Sequence, residues 1–244
     1  MRVDVTIPPG LNEPYLEAVR LAVDFIFART DKPRAVTLSG SVALGYGDPN
    51  SDLDFWVVVA GDHRQRVQRR FNGVPCEMFF NPERRIPRYF KEEATDGRCP
   101  SVGLTLDGHV LYDPEGVAER LRGQARLVRA NGPQVPSETI ELRKYLAVDT
   151  LDNARDVEDR DPLMASILSA AAVHESLRLA YVLNGQWTPR DKDLQLKIGS
   201  VCPQAVAALR SYQESPSPYT AESVLRLILG ASTFFEWESN PDPV

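Results

Sequence analysis

The stretch that decides the fold of this chain is residues 36–59, VTLSGSVALGYGDPNSDLDFWVVV. It opens with a short apolar, β-branched run, turns tightly at Gly40 and Ser41, and breaks again in a segment rich in glycine, aspartate and proline. Every second residue from Leu53 to Val59 is apolar, and this alternation has the period of two that is typical of a β-strand. The stretch therefore predicts two strands joined by a turn, a short helical piece and a loop.

Asp52 and Asp54 flank the start of the second predicted strand. Because successive side chains of a strand point to opposite faces, these two carboxylates share one face and repel each other unless a cation lies between them. Magnesium binds one or two carboxylates and fills its other positions with water and phosphate oxygens. The turn at Gly40 and Ser41 can approach a ligand closely and offers backbone N–H groups and a hydroxyl to phosphate. Together these residues predict a site for a metal-bound nucleotide.

The spacing of these residues resembles the signature of the polymerase-β-like nucleotidyltransferase superfamily: Gly40-Ser41, ten residues, then Asp52-Leu53-Asp54 between two strands. The resemblance implies transfer of a nucleoside monophosphate from a nucleoside triphosphate, with ATP or another triphosphate as substrate and two Mg²⁺ ions held by the aspartates. Gly40 and Ser41 would then bind the triphosphate. The alternative is an Asp-rich hairpin edge with solvated aspartates, which leaves Gly40-Ser41 unexplained.

Glu77 stands in a further predicted strand, residues 74–80, among apolar residues. An ionised glutamate in such company costs several kcal/mol unless it is paired or bound to a metal. In the superfamily a third acid on the neighbouring strand completes the metal site, so the resemblance implies that Glu77 is a metal ligand and a catalytic residue with Asp52 and Asp54. It also implies that Glu77 can act as general base, a role that an acid of the helical region would otherwise take. The alternative is an edge-strand glutamate that points to water.

Composition bounds the function further. The chain has 244 residues, 43% of them hydrophobic and 25% charged, with a net charge of -6, as expected of an ordinary globular protein. An acidic chain does not attract polyanions, and its only basic run, residues 64–70, is predicted to be a solvated helix, so a nucleic-acid partner is not expected. No stretch is long and apolar enough for a membrane span, and residues 1–9 are too short and polar for a signal peptide, so a cytoplasmic location is expected. The dispersed cysteines and histidines indicate structural roles.

The rest of the chain predicts an α+β fold with two domains. A helix over 13–29, a polar helical segment from 81 to 93, a hairpin centred on Asp107-Gly108 and a helix from Asp113 to Gln124 complete a nucleotidyltransferase domain over residues 1–130. Residues 131–137 cluster glycine and proline and are predicted to be a linker. Residues 138–244 carry five helix patterns and no strand pattern, so they are predicted to form a helical bundle that binds the acceptor. The five patterns cover residues 138–158, 163–183, 189–199, 203–214 and 221–238.

The run from Glu175 to Leu194 resembles the C-terminal domain of bacterial aminoglycoside nucleotidyltransferases, in which a long helix ends at a glycine and a lysine follows in the next helix. The resemblance implies that Lys192 binds the triphosphate, and the alternative is an exposed lysine between two aspartates. Asp149 and Asp152 lie on one face of the first bundle helix, which predicts a wall for a cationic acceptor; the alternative is a solvated acidic face, the commoner meaning of such spacing. No histidine follows Arg178 at the spacing used by helical ribonuclease toxins, which disfavours that activity.

These observations lead to one hypothesis and two alternatives. The hypothesis is an Mg²⁺-dependent enzyme that transfers a nucleoside monophosphate, expected to be AMP, to a hydroxyl of a small molecule of the aminoglycoside type. The first alternative is the same transfer to a protein or tRNA. The second is an inactive binding or regulatory protein with the same fold. The acceptor hydroxyl, the nucleotide and the choice between monomer and homodimer stay open at this point.

Overall fold

The computed structural model describes residues 5–30, 32–48, 50–230 and 237–238. The chain divides into two compact units. The first comprises Met1–Glu93 and Cys99–Asn131, and the second comprises Ala94–Arg98 and Gly132–Val244. Among the described residues, no helix combines the length and the apolar character that crossing a lipid bilayer requires.

The first unit is built on a mixed sheet of five strands. The strands are β1 (Ala35–Ser39), β2 (Leu53–Val59), β3 (Gln65–Phe71), β4 (Val74–Pro82) and β5 (His109–Tyr112). Their order across the sheet is β3-β4-β2-β1-β5, in which β2 and β4 are parallel and the other neighbours are antiparallel. The central strand β2 is buried at every position except Asp54, which is partly exposed. The fold therefore places one polar, partly exposed side chain near the start of an otherwise buried central strand.

Helices cover both faces of this sheet. The helices of the first unit are α1 (Tyr15–Arg29), the short α2 (Gly40–Ala43), α4 (Pro100–Asp107), α5 (Val117–Asn131) and most of α3 (Ile86–Asp96), whose last three residues belong to the second unit. One core cluster, on the face covered by α1, includes Val19, Ile26, Phe55 and Met78. A second cluster, on the opposite face, includes Trp56, Phe90, Val102 and Leu121. Asp54 is two residues before Trp56 and therefore shares the face of the second cluster.

The basic segment 64–70 forms the edge strand β3, and the prediction of a helix there was wrong. The chain turns back at Asn72 and Gly73, which both have positive φ (48° and 79°), and β3 then pairs antiparallel with β4. Asn-Gly is a preferred sequence for such two-residue hairpin turns. This segment carries no strand signal because β3 is exposed along most of its length and therefore has no alternating apolar residues.

The predicted hairpin at Asp107-Gly108 was also wrong, because residues 100–107 form α4 and only β5 is a strand. Gly108 has a φ of -78°, outside the region that a two-residue hairpin turn needs. The free N–H groups in the first turn of α4 have an acceptor on another helix. The carboxylate of Glu93 accepts hydrogen bonds from the N–H groups of Ser101 and Val102. Pro100 at the first turn favours a helix start as well.

The predicted helices at 13–29, 81–93 and 113–124 are present with shifted ends. The segment 81–93 becomes a 3₁₀ turn, Glu83–Arg85, followed by α3, with Pro87 in the first turn rather than as an interruption. The α5 helix begins at Val117, where the Asp113 carboxylate accepts the N–H groups of Val117 and Ala118. The start of α5 thus lies where its free N–H groups find a carboxylate.

The second unit is helical throughout its described regular elements. Its helices after α3 are α6 (Ser137–Val157), α7 (Pro162–Leu183), α8 (Leu194–Lys197), α9 (Ala205–Glu214) and α10 (Pro218–Leu229). As predicted, Asp161 caps α7, accepting a hydrogen bond from the N–H of Met164. The ion pair of Arg143 on α6 with Glu175 on α7 spans 2.6 Å and lies beside the core that the two helices share.

Two of the five helix predictions need correction. Residues 189–199 hold a 3₁₀ turn, Asp191–Asp193, then α8, and then a second 3₁₀ turn, Ile198–Ser200. The last helix begins at Pro218 because Ser217 and Thr220 form a reciprocal cap, and it ends before Gly230, whose φ is 90°. Of the predicted range 221–238, residues 231–236 lie outside the described residues. The α+β class with a helical C-terminal region is confirmed.

Candidate functional site

A row of polar side chains crosses the sheet at the end where β2 begins. Pairing places Asp54 of β2 beside Ser39 of β1 on one side and beside Glu77 of β4 on the other, and it places Gln68 of β3 beside Glu77. Paired residues of neighbouring strands lie side by side on the same face, with the strands about 5 Å apart. Strand pairing thus brings four polar residues from distant parts of the chain into one line.

Asp52, Asp54 and Glu77 form an acidic cluster at this row. Each residue offers one carboxylate oxygen, and these oxygens lie within 4.8 Å of one another. Within the described ranges, this is the one group of three or more His, Cys, Asp or Glu side chains with that geometry. Asp52 and Asp54 are accessible to solvent, whereas Glu77 is buried, with 7% of its surface exposed. Hard carboxylate oxygens at such separations are the ligands that Mg²⁺ prefers in proteins.

Glu77 is held in place by two donors from the edge strand. Nε of Arg66 donates to Oε1 of Glu77, and Nε2 of Gln68 donates to the same oxygen over 3.0 Å. The hydrogen bond with Glu77 raises the pKa of Arg66, burial opposes this, and the charges of Asp54 and Asp52 raise it further. The guanidinium of Arg66 therefore stays charged, and its positive charge is stabilised by all three carboxylates of the cluster.

Gly40 brings the backbone of the turn against the acidic cluster. Its φ is +85°, in the region that favours glycine, and a Cβ added there would lie only 2.6 Å from Oδ2 of Asp54. A side chain at position 40 would therefore fill the space beside this carboxylate. The backbone N–H groups at the start of α2 are those that the sequence predicted for phosphate binding.

Ser41 is tied to the loop that precedes the aspartates. Its hydroxyl donates to Oγ of Ser51 over 3.0 Å, and the backbone N–H of Asp48 donates to the same Ser51 oxygen over 2.9 Å. The carboxylate of Asp48 in turn accepts the N–H of Asn50. These bonds fix the position of Ser41 relative to the chain that leads into Asp52.

A cavity of about 430 Å³ opens beside the cluster, lined among others by Asp52, Glu77, Arg70 and Cys76. Burial, more than the nearby charge of Asp52, raises the pKa of Cys76 to about 11. The Cys76 thiol therefore stays protonated at neutral pH and is a poor metal ligand or nucleophile there. The chemistry at this cavity depends on the carboxylates.

The other predicted site residues belong to the second unit. Lys192 is exposed in the 3₁₀ turn that precedes α8. Asp149 and Asp152 both lie on α6, where Asn153 donates to Asp149 and Arg155 pairs with Asp152 at 2.5 Å. The acidic face of α6 is thus partly neutralised by its own neighbours. The structure groups only Asp52, Asp54 and Glu77 among the predicted acids.

Sequence reasoning missed Arg66 and Gln68 as site residues because it assigned their segment to a helix. On a helix they would have no fixed relation to Glu77, whereas the pairing of β3 with β4 puts Gln68 opposite Glu77. The signal that could have found them is the Asn72-Gly73 pair between two short segments, which predicts a hairpin.

Comparison with known proteins bears on the fold alone. A crystal structure of a nucleotidyltransferase-like protein from Exiguobacterium sibiricum matches this chain with a TM-score of 0.53 at 13% sequence identity. The match covers 91% of this chain and 79% of that one. No protein-family model and no curated protein matches the chain. The chain therefore has the fold of a nucleotidyltransferase-like protein, and it carries on that fold an acidic cluster able to hold a metal ion.

Proposed function

We propose that this chain is an Mg²⁺-dependent nucleotidyltransferase that transfers a nucleoside monophosphate, AMP in the first instance, to a hydroxyl of a small acceptor. The observation that carries the proposal is the convergence of Asp52, Asp54 and Glu77, with one oxygen of each within 4.8 Å of the others. Three carboxylates in so small a space repel one another, and a divalent cation relieves that repulsion.

The donor set of the cluster fits magnesium. It consists of oxygen atoms only, two of the three residues are open to solvent, and phosphate oxygens can complete the coordination. The close approach of Gly40 to Asp54 leaves room for a ligand where a side chain would otherwise stand. When bound, magnesium supplies charge stabilisation for the attacking and leaving oxygens of an in-line displacement at phosphorus.

The residues of the chain would share the remaining work. Asp52 and Asp54 hold the ions, while Gly40 and Ser41 bind the triphosphate through N–H and hydroxyl groups, with Lys192 as a further partner for its charge. The oxygen of the acceptor hydroxyl forms a bond to the α-phosphorus, and the bond from that phosphorus to the bridging oxygen breaks. The proton of the hydroxyl passes to a carboxylate, for which Glu77 is the candidate, and pyrophosphate leaves.

A cationic acceptor of the aminoglycoside type is the finer part of the proposal. The distribution of charge supports it. Acidic and basic residues are equal in number in the first unit, so the whole net charge of -6 lies in the second unit, which would attract a cation. Asp149 and Asp152 on α6 would contact ammonium groups of such an acceptor. The two competing functions, transfer to a protein or tRNA and binding without catalysis, are outcomes of the test below.

The test is transfer of label from α-labelled nucleoside triphosphates to a panel of aminoglycosides, lincosamides, proteins and tRNA, with and without Mg²⁺. We expect labelled small molecules with the wild type and none with Asp54→Asn. Asp24→Asn is the matched control, because it removes the same charge from an exposed position on α1. Label only on protein or tRNA would overturn the small-molecule part, and metal-dependent nucleotide binding without any transfer would favour a binding protein.

A further inference from the structure

Arg66 forms an ion pair with Glu77 of the acidic cluster. It donates to Oε1 of Glu77, the same oxygen that accepts from Gln68, so this oxygen is committed to strand β3. Glu77 is buried and sits two positions along β4 from Phe79, whose ring lies 5.4 Å from the guanidinium carbon of Arg66. The guanidinium thus has a charged partner and an aromatic partner on one face of the sheet.

The position of Arg66 allows it to withdraw from Glu77 without disturbing the core. Its backbone is fixed by the pairing of β3 with β4, opposite Phe79, but 61% of its side-chain surface is exposed. The carboxylate, in contrast, has only 9% of its side-chain surface exposed. A buried carboxylate beside Asp52 and Asp54 needs a positive partner at all times, whereas the arginine does not need the carboxylate.

We infer that Arg66 is a positioning residue that neutralises the cluster until a divalent cation binds and then competes with that cation for Glu77. The inference rests on the proposed metal site. A cation within reach of all three carboxylates lies close to the guanidinium, and the two positive charges repel each other. Arg66 therefore stabilises the metal-free protein and weakens its affinity for free metal.

A nucleoside triphosphate changes this balance, because its negative charge offsets the repulsion between the metal and Arg66. The arginine should weaken the binding of free metal more than the binding of metal that arrives with nucleotide. Arg66 thereby makes metal loading depend on the nucleotide. This selectivity is a property of the β3 edge and not of the three carboxylates themselves.

The test measures Mn²⁺ binding by electron paramagnetic resonance in the absence of nucleotide. Free Mn²⁺ should bind to Arg66→Gln roughly five- to tenfold more tightly than to the wild type, because one repelling charge has been removed. Arg66→Lys keeps the charge and should stay close to the wild type. Arg20→Gln is the matched control, since it removes the same charge from an exposed position on α1, where Arg20 pairs with Glu17. It should change the affinity by less than about twofold.

Two further readouts separate this role from a merely structural one. In chelator, Arg66→Gln should melt a few degrees below the wild type, and Mn²⁺ should raise its melting temperature by more than it raises that of the wild type. With an unreactive triphosphate analogue present, the gain in Mn²⁺ affinity of Arg66→Gln over the wild type should shrink. Both readouts compare folded proteins, so a variant that merely folds poorly would not imitate them.

The outcomes also distinguish this inference from the proposed function. Equal Mn²⁺ affinities of Arg66→Gln and Arg20→Gln, with binding by the wild type that Asp54→Asn abolishes, would overturn the role of Arg66 and leave the metal site in place. Absence of Mn²⁺ binding by the wild type and by Arg66→Gln would overturn both.

Discussion

The two units of the chain bring their polar residues together in different ways. In the first unit, Asp54, Glu77 and Gln68 come from three strands and meet because strand pairing sets them in one row. In the second unit, Asp149 and Asp152 lie on one helix, and helical spacing supplies their partners, Asn153 and Arg155. Pairing of strands concentrates charge from distant segments, whereas helical spacing lets a charge find a nearby partner on the surface. The concentrated carboxylates of the first unit could hold a metal ion, whereas Asp149 and Asp152 each have a partner on their own helix.

The sharpest test of this contrast is the removal of one carboxylate from each unit. Asp54→Asn should lower nucleotide transfer by at least about a thousandfold, because several kcal/mol of charge stabilisation depend on the cluster. Asp149→Asn should leave kcat unchanged and raise the KM for a cationic acceptor by roughly fivefold or less, as expected for an exposed charge. Steady-state kinetics of both variants would check this, and equal losses of kcat would contradict the contrast.

Thiol labelling compares the two units without any assumption about function. Burial raises the pKa of Cys76 to about 11 from an ordinary value of 9.0, and it raises the pKa of Cys202 as well. At pH 8 the native Cys76 should therefore react with iodoacetamide about a hundredfold more slowly than in urea. Mass spectrometry of labelled peptides follows each cysteine separately, and rapid labelling of native Cys76 would contradict its burial.

The same thiol makes stability depend on pH with a definite sign. Because the folded pKa of Cys76 lies above the unfolded value, its contribution to the free energy of unfolding is complete below pH 9 and is lost as the pH rises towards 11. In Cys76→Ala, this part of the decrease in stability at alkaline pH should be absent.

If urea exposes Cys76 and Cys202 at different concentrations, the two units unfold separately.

A comparison of Gly40 with Gly45 tests whether Gly40 is needed to place Asp54 or only to form the backbone turn. Gly40 and Gly45 both have positive φ, +85° and +81°, but only at Gly40 would a Cβ meet Asp54. Each change to alanine should cost about 1–2 kcal/mol of stability. Gly40→Ala should lower transfer at least about tenfold further, because it displaces a carboxylate that must be placed accurately. Urea unfolding measures the loss of stability, and transfer assays measure the loss of activity. Equal activity of the two variants would show that Gly40 is needed only for the turn.

The smallest expected effect concerns Lys192 in the second unit. If its ammonium contacts the triphosphate, Lys192→Gln should raise the KM for the nucleotide by roughly three- to tenfold, which corresponds to one charged contact in water. Lys197→Gln is the control, since Lys197 is an exposed lysine only five residues away. Equal KM values for the two variants would remove Lys192 from the site and make the acidic cluster independent of the second unit.

Most of the cluster could be predicted from the sequence because its signals are local. The alternation after Leu53 places Asp52 and Asp54 on one face, and a glutamate inside an apolar strand indicates a paired or metal-bound group. Arg66 and Gln68 could not be found in this way, because an edge strand that is exposed on both faces has no apolar period. The α4 helix was missed for a related reason, since its start is satisfied by Glu93 of another helix.

By itself, the sequence determined the α+β class, the Gly-Ser turn and the three acids, because period, turn chemistry and the cost of a buried charge act between near neighbours in the chain. Only the tertiary structure decided which side chains of the edge strand contact Glu77. Strand order and register place Arg66 and Gln68 beside Glu77, and they do so through backbone pairing that depends on the whole sheet and leaves no pattern in the residues themselves.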